Sequence, residues 1–214
     1  MNVNYRALSF ASCGLAAAVS LTVLPFLPER VATRFRSNGR AKRYRSRVVA
    51  AASSPAVMLA IAVLNKTIGG WVGGQDRDDT VSGTRARDEA IGIAQVALLV
   101  SHLLVLANAL SLPVDMDRVP RALYGLMLVA LGNVLPKVPR NALVGIRTPW
   151  TLRDPGVWER THRLAGYLCV TAGGMVVAFA PARSAFARST PVVASLAATG
   201  AATAYSWWAS RDPV

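Results

Sequence analysis

Six stretches of this chain carry almost no charge over the length needed to cross a bilayer: residues 7–27, 48–64, 90–112, 121–135, 164–181 and 191–209. About 30 Å of hydrocarbon takes roughly 20 residues at ~1.5 Å each. No water is available at that depth, so each backbone N–H and C=O must be satisfied within its own segment, which selects helices. The reading is therefore all-α: a polytopic membrane protein of about six transmembrane helices, with a short interfacial loop-helix between the fourth and fifth. It forms a single membrane domain over 1–214, with a first pair at 7–64 and a second part at 90–209. The fourth stretch is the shortest, so its helix should start a few residues early or tilt little. Only Arg6 precedes the first stretch, which is long enough to span, so it reads as a transmembrane helix and not as a cleaved leader. Hydrophobic residues at 53% and charged residues at 16% agree with this class.

The net charge of +13 would suggest nucleic acid on a soluble domain. Here the cations sit in short connections beside apolar runs, so anionic lipid headgroups are the partners they imply and nucleic acid is excluded. The connection at 28–47 holds Arg30, Arg34, Arg36, Arg40, Lys42, Arg43, Arg45 and Arg47 and reads as a solvated, lipid-facing basic loop. The run Gly69–Gly74 around Trp71 has no preceding strand and no GK[ST] ending, so it reads as a flexible loop with an interfacial tryptophan. Asp76, Asp78 and Asp79 lack the glycine and distant glutamate of a calcium loop. Cys13 and Cys169 fall in apolar segments and read as structural thiols. No cofactor or metal is implied: His102 and His162 lie far apart, and no nucleophile spacing accompanies either, so the chain does not read as an enzyme.

The third stretch places Gln95 and His102 seven residues apart on one helical face, with Ser101 and Asn108 as a second such pair. Intramembrane polar groups of this kind face the bundle interior, and interhelical bonding is the favoured reading of Gln95, His102 and Asn108. A small-solute or ion transporter using this face is the alternative function. Against it, all eleven Asp and Glu lie outside the apolar stretches. Pro55 interrupts the second stretch and should kink its helix. Alanines 194, 198 and 202 line one side of the last, which ends at Trp207, Trp208 and Arg211, an interfacial signature. Leu27-Pro28 and Leu135-Pro136 each close an apolar stretch, a trace of an inverted repeat.

The connection at 132–166, GNVLPKVPRNALVGIRTPWTLRDPGVWERTHRLAG, is the longest polar interval of the second half. Pro136 and Pro139 end the fourth helix, and Asn141 to Thr148 should form an ordered loop that turns at Gly145. Asp154-Pro155 reads as N-cap and first residue of a helix running into the fifth span. On that helix Trp158 faces His162 and Glu159 faces Arg163 at i, i+4 spacing.

These residues resemble the signature of the SdpI family of bacterial immunity and signal-transduction membrane proteins. Gly132, Asn133, Leu135, Pro136, Lys137, Asn141, Gly145 to Leu152, Trp158, Thr161 to Arg163 and Gly166 sit at motif positions. A second family element after the first helix is matched by Leu27, Pro28, Phe35 and Gly39, whereas Ala32 and Arg34 depart from it. The resemblance implies a multi-pass protein of the bacterial cytoplasmic membrane that protects its cell from a secreted peptide toxin. In the namesake system such a protein also holds a cytoplasmic regulator at the membrane. The partner-binding residues expected on this basis are Asn133, Lys137, Asn141, Arg147, Thr148, Pro149, Trp150, Trp158, His162 and Arg163. Lys and Arg divide evenly, twelve on each side, so positive-inside counting does not orient the chain. Capture of a cytoplasmic regulator would put the signature connection, and with it the N-terminus, inside.

Overall fold

A computed structural model describes residues 4–72, 77–140 and 145–211. Seven α-helices and one hairpin are described: α1 Tyr5–Val23, β1 Arg30–Phe35, β2 Ala41–Ser46, α2 Arg47–Val72, α3 Arg77–Ala109, α4 Val119–Val134, α5 Pro149–Arg153, α6 Pro155–Phe179 and α7 Ala185–Ala209. Five stretches, contributed by α1, α2, α3, α4 and α6, are long and apolar enough to cross a membrane. The sixth expected span, α7, has the length but not the apolarity, because Thr199, Gly200, Thr203 and Ser206 dilute its apolar residues. The fourth span does begin early, at Val119. The chain is thus a mostly helical multi-pass membrane protein.

Two expectations need correction. The basic connection at 28–47 is not an open loop: β1 and β2 pair antiparallel, with Val31 opposite Arg45 and Ala32 opposite Tyr44. Gly39 turns the chain at φ +77°, where a side chain is disfavoured. The glycine-rich segment is helical through Val72, and α3 begins at Arg77, so the second connection is much shorter than read; Gly73, Gly74 and Asp76 lie outside the described residues.

The helices pack in two groups of three, α1–α2–α3 and α4–α6–α7. A 3-10 turn containing Leu-Pro follows the first helix of each group, at Leu24–Phe26 and at Leu135–Lys137. In the first half it is Leu24-Pro25, and not Leu27-Pro28, that makes the turn. The two turns lie towards opposite ends of α3: Lys137 of the second pairs with Glu89 in its first half, while Leu24 of the first packs against the cluster that holds Leu106 near its end.

Hydrogen-bond satisfaction at depth organises the first group. Pro55 has no N–H, so the Ala51 carbonyl one turn earlier loses its helical donor. The Ser20 hydroxyl from α1 donates to that carbonyl at 2.8 Å. Its single proton is then committed, so it accepts from Nε2–H of His102 on α3 at 2.7 Å. One proline thereby fixes an interhelical chain and the tautomer of the imidazole, leaving Nδ1 buried without a partner. Gln95 adds a second tie, its amide donating to the Met58 carbonyl at 2.7 Å.

Backbone contact organises the second group. A Cβ on Gly132 would stand 2.8 Å from the Gly166 carbonyl, and one on Gly166 would stand 2.7 Å from the Gly132 carbonyl. Gly125 and Gly173 repeat the relation one heptad away, at 2.8 and 2.5 Å. Antiparallel α4 and α6 therefore meet through two glycine pairs, the close approach that small residues permit between membrane helices. Gly174, next to Gly173, has open space at its Cβ. Gly173→Ala should lower the thermal midpoint of the purified protein, because carbonyl and backbone must move apart. Gly174→Ala should leave it unchanged or raise it, by about 0.5–1 kcal/mol of helix propensity. Equal midpoints for the two variants would remove the glycine contact as the organising feature.

Candidate functional site

The signature connection is built on two caps. Thr148 is the N-cap of α5, its hydroxyl accepting from the Thr151 N–H while the Thr151 hydroxyl accepts from the Thr148 N–H; Pro149 takes the first helical position. Asp154 caps α6 by accepting from the N–H groups of Gly156 and Val157 at 2.7 and 3.3 Å, followed by Pro155 as the sequence indicates.

Between these caps, Ile146 is held by both backbone groups. Its N–H donates to Nε2 of His162 at 3.1 Å, and its carbonyl accepts from the Thr151 hydroxyl at 2.8 Å. Because Nε2 accepts, Nδ1 carries the ring proton and donates to the Trp158 carbonyl at 2.9 Å. The imidazole stacks on the Trp158 indole with centroids 3.9 Å apart, and both rings are about 1% exposed. The indole N–H donates to the Val138 carbonyl at 2.8 Å. Both imidazole nitrogens are thus occupied by backbone, which leaves His162 neither a free base nor a ligand atom. Gly145 makes this possible: at φ +117° it passes so close to the two rings that any Cβ would collide with Nε2 of His162.

The expected site residues separate into an exposed set and a wired set. Trp158, His162, Thr148 and Pro149 belong to the framework. Trp150 is half-buried, its indole donating to Ser206 of α7 at 2.8 Å. Arg147 and Arg163 are exposed, and Lys137 is exposed beside Glu89 at 3.4 Å. Asn133 is exposed, but its amide turns back to the Val129 carbonyl on its own helix. Asn141 lies outside the described residues. Glu159 and Arg163 form no ion pair with each other, contrary to their spacing; both instead line a cleft of about 370 Å³ with Pro136, Lys137, Arg140 and Trp158. Arg140 donates to the Leu152 carbonyl at 2.9 Å, at the C-terminal end of α5, where helix carbonyls favour a cation.

Two residues outside the expected partner-binding set complete the framework. Thr151 and Ser206 are fully buried and hold the connection to itself and to α7. The Thr-x-x-Thr cap pattern could have revealed Thr151, whereas nothing local marks Ser206. The intramembrane polar residues lie elsewhere. Gln95 and His102 are buried between α1, α2 and α3, and Asn108 borders a cavity beside the hairpin tip. No group of metal-ligating side chains occurs among the described residues.

Gly145→Ala should expel the 145–148 segment from the two rings. The expected reading is loss of hydrogen-exchange protection at the Ile146 amide and faster proteolysis of the connection, with the spans still protected. A buried donor or acceptor left unpaired costs about 1–3 kcal/mol, enough to raise local opening roughly five- to a hundredfold.

A model described as the SdpI/YfhL protein family matches residues 137–208, from the second Leu-Pro turn through α7. A model described as a domain of unknown function, DUF1648, matches residues 11–59, which take in α1, the hairpin and the start of α2. The immunity protein SdpI of Bacillus subtilis (strain 168) is 32% identical over 81 residues, 38% of this chain. The match spans 39% of that relative's length. No solved structure matches the chain. The wired connection of α5 and α6 lies inside the matched interval, so it is through residues 137–208 that the chain is similar to the SdpI family.

Proposed function

We propose that this protein confers immunity to a secreted peptide toxin in the bacterial cytoplasmic membrane, acting as a binding protein and not as a catalyst. The observation that carries the reading is the cleft beside the signature connection. Lys137, Arg140 and Arg163 surround it against one carboxylate, Glu159, and its floor is immobilised by the Trp158–His162 stack. A pre-ordered cationic cleft suits carboxylates of an extended peptide, since charge-assisted bonds are strong and little ordering entropy remains to be lost. In this proposal Lys137 and Arg163 contact the partner inside the cleft, Arg147 and Asn133 meet it on the exposed surface outside the lining, and Trp150 offers its half-buried ring as an apolar anchor. Trp158, His162, Thr148 and Pro149 act as positioning residues. Membrane capture of a cytoplasmic regulator is a second use of the same face, supported by the family resemblance alone.

Transport of a small solute or ion is a second reading. It is favoured by the unpartnered buried Nδ1 of His102 and Oε1 of Gln95, two acceptors within one three-helix group. Flux into vesicles that depends on His102 and vanishes in His102→Ala would favour it over binding.

Cells expressing the protein should survive toxin challenge, and Lys137→Ala or Arg163→Ala, each removing a cation from the cleft, should sensitise them at unchanged membrane abundance. Loss of one charge-assisted bond corresponds to roughly ten- to a hundredfold weaker capture and a matching shift in tolerated dose. Full protection by both variants would sink the cleft proposal.

A further inference from the structure

At the end of the bundle opposite the signature connection, two cavities meet. One, of about 610 Å³, lies under the hairpin tip and is lined by polar groups including Asn38, Arg40, Asn108, Arg183 and Arg188. The other, of about 430 Å³, runs down between α3, α4 and α7 past Leu104, Val105, Tyr124 and Val192. Met116, Asp117 and Arg188 line both, so a polar chamber opens onto an apolar groove. Ser101, eight residues before the end of α3, marks a groove depth of about 12 Å along the helix.

We infer that these joined cavities are a binding site for one anionic phospholipid, headgroup phosphate in the chamber and an acyl chain in the groove. The division of polarity matches the two ends of such a molecule and nothing wholly water-soluble. Charge selects the sign. Asp115 and Asp117 also border the chamber, but both are already engaged, Asp117 by Arg121 and Arg188 and Asp115 by Arg118 and Arg183. Desolvation pushes the Asp115 carboxyl up, but the N–H groups of Arg118 and Asp117 and the guanidinium of Arg183 outweigh it and hold the carboxyl below its usual range. Arg40 remains exposed and pairs with no carboxylate among the described residues, and the Asn38 amide is not used by its own turn, where only its oxygen accepts. Arg36 lines the groove beside the chamber, and the rest of the hairpin carries five further cations, which also argues against a second copy of this chain as occupant. The fold builds the chamber deliberately: Gly39 lets the tip rest on Asp117, where a Cβ would stand 3.0 Å from the backbone nitrogen.

The test uses purified full-length protein in detergent, with lipid adducts counted by native mass spectrometry. Dioleoyl phosphatidylglycerol should be retained one to one in preference to dioleoyl phosphatidylcholine. The double variant Arg40→Gln/Arg183→Gln should bind it about ten- to thirtyfold more weakly at an unchanged lipid-free thermal midpoint, given ~1 kcal/mol per cation. Val192→Trp, which fills the groove from an exposed position, should weaken the lipid adduct equally without changing the midpoint. Equal retention of the two lipids, or unchanged binding in the double variant, overturns the inference. So does displacement of the lipid by glycerol phosphate at equal concentration, with Val192→Trp without effect, which would mark a free-anion site.

Discussion

The contact on which the second half depends is backbone against backbone. Within a bilayer, apolar side chains gain nothing by leaving lipid for protein, so helices associate through packing and polar bonds. Gly125, Gly132, Gly166 and Gly173 remove the side chains at the crossing and let α4 and α6 pack without intervening atoms. That approach carries Trp158 of α6 to the chain leaving α4, where its indole meets the Val138 carbonyl. The stack on His162, the capture of Ile146 and the capping of α5 follow from this placement.

The first half solves the opposite problem, an excess of unsatisfied polar groups. Pro55 creates a carbonyl without a donor, and Ser20 supplies one. The Cys13 thiol of α1 adds a weak bond to the Pro55 carbonyl at 3.5 Å. Such bonds are worth only modest net energy, but leaving a group unpaired at depth costs several times more. Serines on α1 and a proline on α2 are therefore interdependent, although neither residue looks instructive alone.

How far this was legible depends on whether the cause was local. Long uncharged runs reveal spans, because the bilayer imposes the same demand on each. Asp154-Pro155 reveals a helix start for the same reason, since a cap is specified within four residues. The hairpin was harder: Asn38-Gly39 is a turn signal, but β2 is cationic and exposed nearly throughout, with no alternation of apolar residues. Helix α7 packs through small residues such as Ala198 and Ala202, both buried, while Thr199, Gly200 and Thr203 dilute its exposed face. The site shows the same limit. Motif residues stand out in the sequence, yet the fact that Trp158 and His162 face inward while Arg147 and Arg163 face outward is set by α4 and Val138, which no local pattern encodes.

Contact through glycines has a mechanical side. Side-chain interfaces can absorb a small displacement by hopping rotamers, but a carbonyl resting on an α-carbon has no such freedom. A push on the start of α6, where the cationic cleft lies, therefore cannot dissipate along the crossing with α4. It is delivered some 25 residues later to the turn before α7, whose Ala182 carbonyl accepts from Arg121. The pair behaves as a rigid strut linking the two faces of the membrane.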